Sequence, residues 1–146
     1  MFRLLVDYAG RLHPLVIHFP IGLLLIGAGG EVMRLWSDRD SLGRFVRTMI
    51  LLGAAGVLCA AATGWLFAYQ IHRPPELRPL MFRHRWLGIA TAGTSIIAAF
   101  VADRWINTPS SWLRWVRRTV ICGNAILLAV TAHLGAALVW GSDFFS

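Results

Sequence analysis

Four long apolar stretches separated by short polar ones set the pattern of this chain: about Pro14 to Trp36, Phe45 to Tyr69, His84 to Trp105 and Trp115 to Trp140. Each is long enough to cross the hydrocarbon layer, which takes roughly 20 apolar residues in a helix. None alternates with period two, so membrane strands are excluded, and the backbone groups inside lipid must be satisfied within helices. The connections, Ser37 to Arg44, Gln70 to Arg83 and Ile106 to Arg114, are short and carry the Asp, Asn, Pro and Arg residues that interrupt helices. Short connections make neighbours antiparallel. The pattern therefore predicts an all-α, integral membrane four-helix antiparallel bundle, a single transmembrane domain over residues 1–146 with no internal repeat.

Composition agrees and narrows the function classes. The chain has 146 residues, 57% of them hydrophobic, and a mean hydropathy of +0.62, outside the range of ordinary soluble domains. Four spans use nearly all of it and leave no soluble catalytic domain, so any chemistry belongs inside the bundle or on its rims. The opening, with Arg3 ahead of an apolar run and the small residues Gly27, Ala28 and Gly29, has the outline of a secretory signal; the first segment is expected to be retained as a span.

Fourteen arginines and no lysine face seven acids, a formal charge of +7. In a soluble chain this excess points to nucleic acid. Here the arginines lie in the connections, where they set topology and meet lipid headgroups, and no nucleic-acid partner is expected. The face holding the start of the first segment and the end of the fourth, face A, carries Arg3, Arg11, Arg73, Arg78, Arg83 and Arg85. Face B carries Arg34, Arg39, Arg44, Arg47, Arg104, Arg114, Arg117 and Arg118. The larger positive count puts face B in the cytoplasm, and face A with both termini in the periplasm of a bacterial inner membrane. Most of the seven tryptophans bracket the segment ends as an interfacial belt, with Trp65 about one turn inside face A. Cys59 and Cys122, without CxxC or CxxCH spacing, read as core filler.

The chemistry-bearing residues are histidines. His18, His84 and His133 lie on three different segments, each toward face A. At about 1.5 Å per residue, His18 and His133 fall some 6 Å and 10 Å inside that face, with His84 near the boundary. Histidine in hydrocarbon is expensive unless it is paired or bound to a metal. One turn further in from each lies a small residue, Gly22, Gly88 and Ala129, which leaves room for a flat ring between helices. The expectation is a haem b ligated by His18 and His84 on diagonal helices. His133 is then an alternative ligand, or one for a second haem with His13, and Arg83 and Arg85 hold the propionates. His13 and His72 sit at or beyond the interface and are expected to be solvated or hydrogen-bonded. Glu31, three residues before Arg34, is expected to form an intrahelical pair.

The stretch Leu12-His13-Pro14-Leu15-Val16-Ile17-His18-Phe19-Pro20-Ile21 resembles the opening signature of a bacterial family of four-helix membrane proteins, domain of unknown function 2231. His84-Arg85-Trp86-Leu87-Gly88 and the close of the fourth segment, Thr131 to Gly141, are similar to that family too, so the resemblance spans the chain. Where the family carries paired glycines near the end of the fourth helix, this chain has Gly135-Ala136. The resemblance implies a neighbourhood of periplasmic cytochrome c or quinoprotein dehydrogenase modules, and hence a membrane redox anchor with b-type haem. The expected function is a cytochrome b-like electron-transfer subunit of a larger membrane redox complex. It would relay electrons between a periplasmic partner (a cytochrome c or dehydrogenase) and quinone or another haem, and would not itself be a catalyst. The alternative is a cofactor-free structural subunit of a respiratory or photosynthetic complex. A transporter is disfavoured, because no segment has the broken-helix or buried acidic pattern of ion pathways.

Overall fold

The computed structural model describes Tyr8 and residues 10–37, 39–70 and 74–141; Arg3, His72 and Arg73 lie outside these residues. A short helix α1 (His13–Val16) runs through Ile17 into α2 (His18–Met33), and the two form one span. They are followed by α3 (Asp40–Gln70), a 3-10 turn at Pro75–Leu77, α4 (Arg78–Trp105) and α5 (Ser111–Trp140). The four spans are all long and apolar enough to cross a membrane, and the described residues contain no strand. The spans pack as a ring, α2 on α3, α3 on α4, α4 on α5, with α5 closing back onto α2. The protein is an all-α membrane bundle.

Three helices start four to six residues before their apolar runs, because a helix continues beyond the hydrocarbon wherever its polar end is supported. Ser110 caps α5, its side chain accepting from the Leu113 amide at 3.5 Å. A proline stands in the first turn of α4, where no amide hydrogen is needed. Asp40 places a negative charge at the positive end of α3. At the far end of α5, Gly141 turns the chain with φ +88°, the left-handed region glycine favours.

The inward faces repeat every 3.5 residues. On the first span the seam runs through His13, Ile17, Pro20, Leu24, Gly27, Glu31 and Arg34, and on α3 through Gly43, Val46, Ile50, Gly53, Val57, Ala60, Gly64 and Phe67. On α4 it takes His84, Gly88, Thr91, Ser95, Ala98 and Ala102, and on α5 Arg117, Ile121, Asn124, Leu128, Thr131, Gly135 and Leu138. This is the period of left-handed helix packing. Glycine makes the close approach possible between α2 and α3: a Cβ on Gly27 would stand 2.7 Å from Ile50 Cδ1, and one on Gly53 2.6 Å from Leu24 Cγ. Each glycine is the hole for the other helix's knob, the small-residue packing that membranes use in place of a hydrophobic driving force. Between α4 and α5 the apolar packing is joined by polar contacts. Thr94 and Ser95 donate to Asn124 Oδ1 at 2.7 and 3.2 Å, and the Thr91 and Thr131 hydroxyls meet at 3.0 Å.

Toward face B the ring is clasped by a buried ion pair. Arg117, fully buried, donates from Nε to Glu31 Oε1 at 3.1 Å and from Nη1 to the Ile106 carbonyl at 3.0 Å; Nη1 also reaches the Trp105 carbonyl and Nη2 the same carboxylate. One guanidinium thus joins α2 and α5 and satisfies carbonyls that the end of α4 leaves without helical partners. The expected pairing of Glu31 with Arg34 is present too, with Arg34 Nη1 4.0 Å from Oε2, longer than the contacts of Arg117. Arg118 Nε, at 3.3 Å from Oε1, adds a third cation to the one carboxylate. Because breaking a buried pair strands the charge left behind, Glu31→Gln, which strips Arg117 and Arg118 of their counter-charge, should lose about 3–5 kcal/mol. Arg117→Gln should lose less in detergent unfolding, since Arg118 still faces Glu31. Equal losses would assign the stability to the carbonyl caps instead of the charge.

Candidate cofactor cleft

Two histidines meet at face A. A cleft of about 210 Å³ opens there among all four spans, and its lining is apolar apart from His13, His84, Arg85, Thr91 and Thr131. His13 comes from α1 and His84 from α4, the diagonal pair of the ring, and both line the cleft.

Both imidazoles are held through Nδ1. His84 Nδ1 donates to the Thr131 carbonyl at 3.0 Å. His13 Nδ1 stands 3.2 Å from Thr63 Oγ1, whose own hydroxyl lies 3.0 Å from the Cys59 carbonyl and 3.1 Å from that of Ala60. With the hydroxyl proton committed to a carbonyl, Nδ1–H of His13 is the donor to Thr63. In both rings the lone pair is then on Nε2, the tautomer that a metal-ligating histidine adopts when its other nitrogen is tied to an oxygen. Under each ring lies a glycine. A Cβ on Gly64 would come within 2.8 Å of His13 Cε1, and one on Gly135 within 2.9 Å of His84 Cε1. The His13 ring also tilts against Phe67, with centroids 6.1 Å apart.

The other expected residues divide. Gly88 lines the cleft, and nothing lies within 4 Å of where its Cβ would be, so it contributes the open space expected of it. Arg85 lines the cleft with its guanidinium 4.7 Å from the Trp65 ring centroid, and it makes no hydrogen bond among the described residues. Trp65 is therefore part of the site wall. His18 does not join it: its ring is exposed on the outer surface of α2, with Nδ1 donating back to the Pro14 carbonyl at 2.6 Å. Gly22 follows His18 to the outside, and Arg83 and His133 are also exposed and away from the cleft. Cys59 is exposed as well, not core, while Cys122 is half-buried. The convergence of His18, His84 and His133 is thus replaced by a pair, His13 and His84. The seam carries the signal that finds His13, because counting back from Glu31 through Leu24 and Pro20 lands on it.

Among the described residues no group of three or more His, Cys, Asp or Glu side chains could hold a bare metal ion. Two imidazoles suit iron that already has four macrocycle nitrogens. The cleft volume is below the roughly 300–1,000 Å³ of sites that engulf a drug-sized ligand, so a macrocycle would be only partly enclosed between the helices.

Gly64→Ala should push the His13 imidazole off Thr63, at about 1–3 kcal/mol for overpacking, and Gly135→Ala should do the same to His84. Imidazole nitrogen NMR is the check: each substitution should move the resonances of its own histidine and leave the other's in place. Movement of both by either change would mean that the rings are not held separately.

No curated protein and no solved structure matches the chain. The sequence profile of one family does, over residues 10–144, and it takes in all four spans and both cleft histidines. The chain belongs to the DUF2231 family of predicted membrane proteins.

Proposed function

We propose that this protein is a cytochrome b-like electron-transfer subunit that holds a haem b between His13 Nε2 and His84 Nε2. The observation that carries the reading is the pair of imidazoles on diagonal helices, each tied through Nδ1, each seated on a glycine, and both facing one apolar cleft. Held there by His13 and His84, haem would supply a one-electron couple, which suits relay. Arg85, half-buried at the cleft with its guanidinium against Trp65, is placed to receive a propionate in a bidentate contact. Arg83, exposed and outside the cleft, is not used.

The wider setting belongs to the same reading. The protein sits in a bacterial inner membrane as part of a larger redox complex, with the cleft toward the periplasm. It takes electrons from a periplasmic cytochrome c or dehydrogenase and passes them toward quinone or another haem.

A second reading is a structural subunit without cofactor, and one observation favours it. His13 bonds α1 to α3, and His84 bonds α4 to α5, a role a membrane histidine fills for about 0.6 kcal/mol without any ligand. A reduced-minus-oxidised spectrum with pyridine haemochrome quantitation separates the two. One b haem per chain is expected, lost in His13→Ala and in His84→Ala and retained in His18→Ala and His133→Ala. A featureless spectrum from folded, haem-supplied protein would leave the structural subunit.

A further inference from the structure

At the opposite face a second cavity, also about 210 Å³, lies in the groove between α2 and α5. These two helices close the ring more loosely than the other neighbours pack. The groove wall is apolar and faces outward at Val32, Leu35 and Trp115, and two charged side chains, Glu31 and Arg118, stand at its base.

The charges there are incompletely matched. Arg118 stacks over Trp115 at 5.3 Å and donates from Nη2 to the Arg34 carbonyl at 3.3 Å; its buried Nε faces Glu31 Oε1 at 3.3 Å as an ion pair without a hydrogen bond, and its Nη1 makes no hydrogen bond among the described residues. Glu31 Oε2, also buried, accepts no hydrogen bond. Buried polar groups without partners point to a missing water, ion or ligand. Three arginines, Arg34, Arg117 and Arg118, share the one Glu31 carboxylate, so the base carries excess positive charge beside a carboxylate oxygen that accepts no hydrogen bond, and it calls for a molecule that carries both an anion and a hydrogen-bond donor. The apolar wall above them, at the level of an interfacial tryptophan, calls for hydrocarbon.

We propose that this groove is a specific phospholipid site, with the lipid phosphate on Arg118, a headgroup ammonium or hydroxyl on Glu31 Oε2, and an acyl chain along Val32 and Leu35. The pairing is one of charge complementarity: a guanidinium in the interfacial region attracts a phosphate, and the carboxylate selects a headgroup that can donate. The site is independent of any cofactor at face A.

The experiment is native mass spectrometry of the full chain from nanodiscs of phosphatidylethanolamine, phosphatidylglycerol or phosphatidylcholine. One lipid per chain should be retained from the first two, and at least several-fold less from phosphatidylcholine, whose headgroup has no donor. Arg118→Gln should remove the retained lipid. Thr119→Trp, which fills the groove and keeps Arg118, should remove it as well, so the result does not hang on one variant's folding. Arg104→Gln, on the same face and outside the groove, should leave it. Retention that is unchanged in both groove variants, or no retention by the parent protein, would overturn the site. Equal retention of phosphatidylcholine would overturn the role of Glu31.

Discussion

A side chain on a membrane helix faces either lipid or another helix, and lipid offers a polar group nothing to bond. In this bundle that constraint sorts the residues. The buried polar and charged side chains, Glu31, Arg34, Thr91, Ser95, Arg117, Asn124 and Thr131, all fall on the 3.5-residue seams that face inward. The outward faces are Leu, Ile, Phe and Trp. The polar groups share the interior with an apolar core that includes Leu24, Val46, Ile50, Val57, Ile121 and Leu128, and small-residue fit, hydrogen bonds and one ion-pair cluster hold the helices, because apolar side chains gain nothing by leaving lipid for protein. A histidine on a seam is consequently a different object from one off it: the first is positioned by neighbours, while the second must bond its own helix, as His18 does with Pro14.

The spans were legible because crossing a membrane needs only length and apolarity, which are local properties. Which histidines meet was less so, because depth along a helix says nothing of direction around it. His13 and His18 are five residues apart, about 140° around the axis at 3.6 residues per turn, so one of them at most can face the cleft. Depth favoured His18, whereas direction selects His13. His133 lies two residues past the seam position Thr131, about 200° away, and points outward for the same reason. His84 meets both criteria, being on the seam and near the boundary. Glu31 shows the complementary limit. Arg34 is visible as a partner on the same helix, whereas Arg117, 86 residues later, becomes one only once the register of α5 against α2 is fixed.

The Arg117 clasp and the histidine cleft lie at opposite faces, yet they constrain each other through α5. From Arg117 to Gly135 the helix runs 18 residues, about 27 Å, without a kink-inducing proline. Rotation of α5 at one end is therefore rotation at the other. The hydrogen bonds of Arg117 to Glu31 and to the two carbonyls at the end of α4 allow α5 one azimuth. In that azimuth Asn124 meets Thr94 and Ser95, Thr131 presents its carbonyl to His84, and Gly135 passes beneath the imidazole. A site that must hold two rings in one orientation benefits from elements that cannot turn independently. A buried charge cluster, weak as a source of stability, is well suited to fixing register because the wrong register strands a charge. The cluster at face B is thus best understood as the part of the structure that decides how the cleft at face A is assembled.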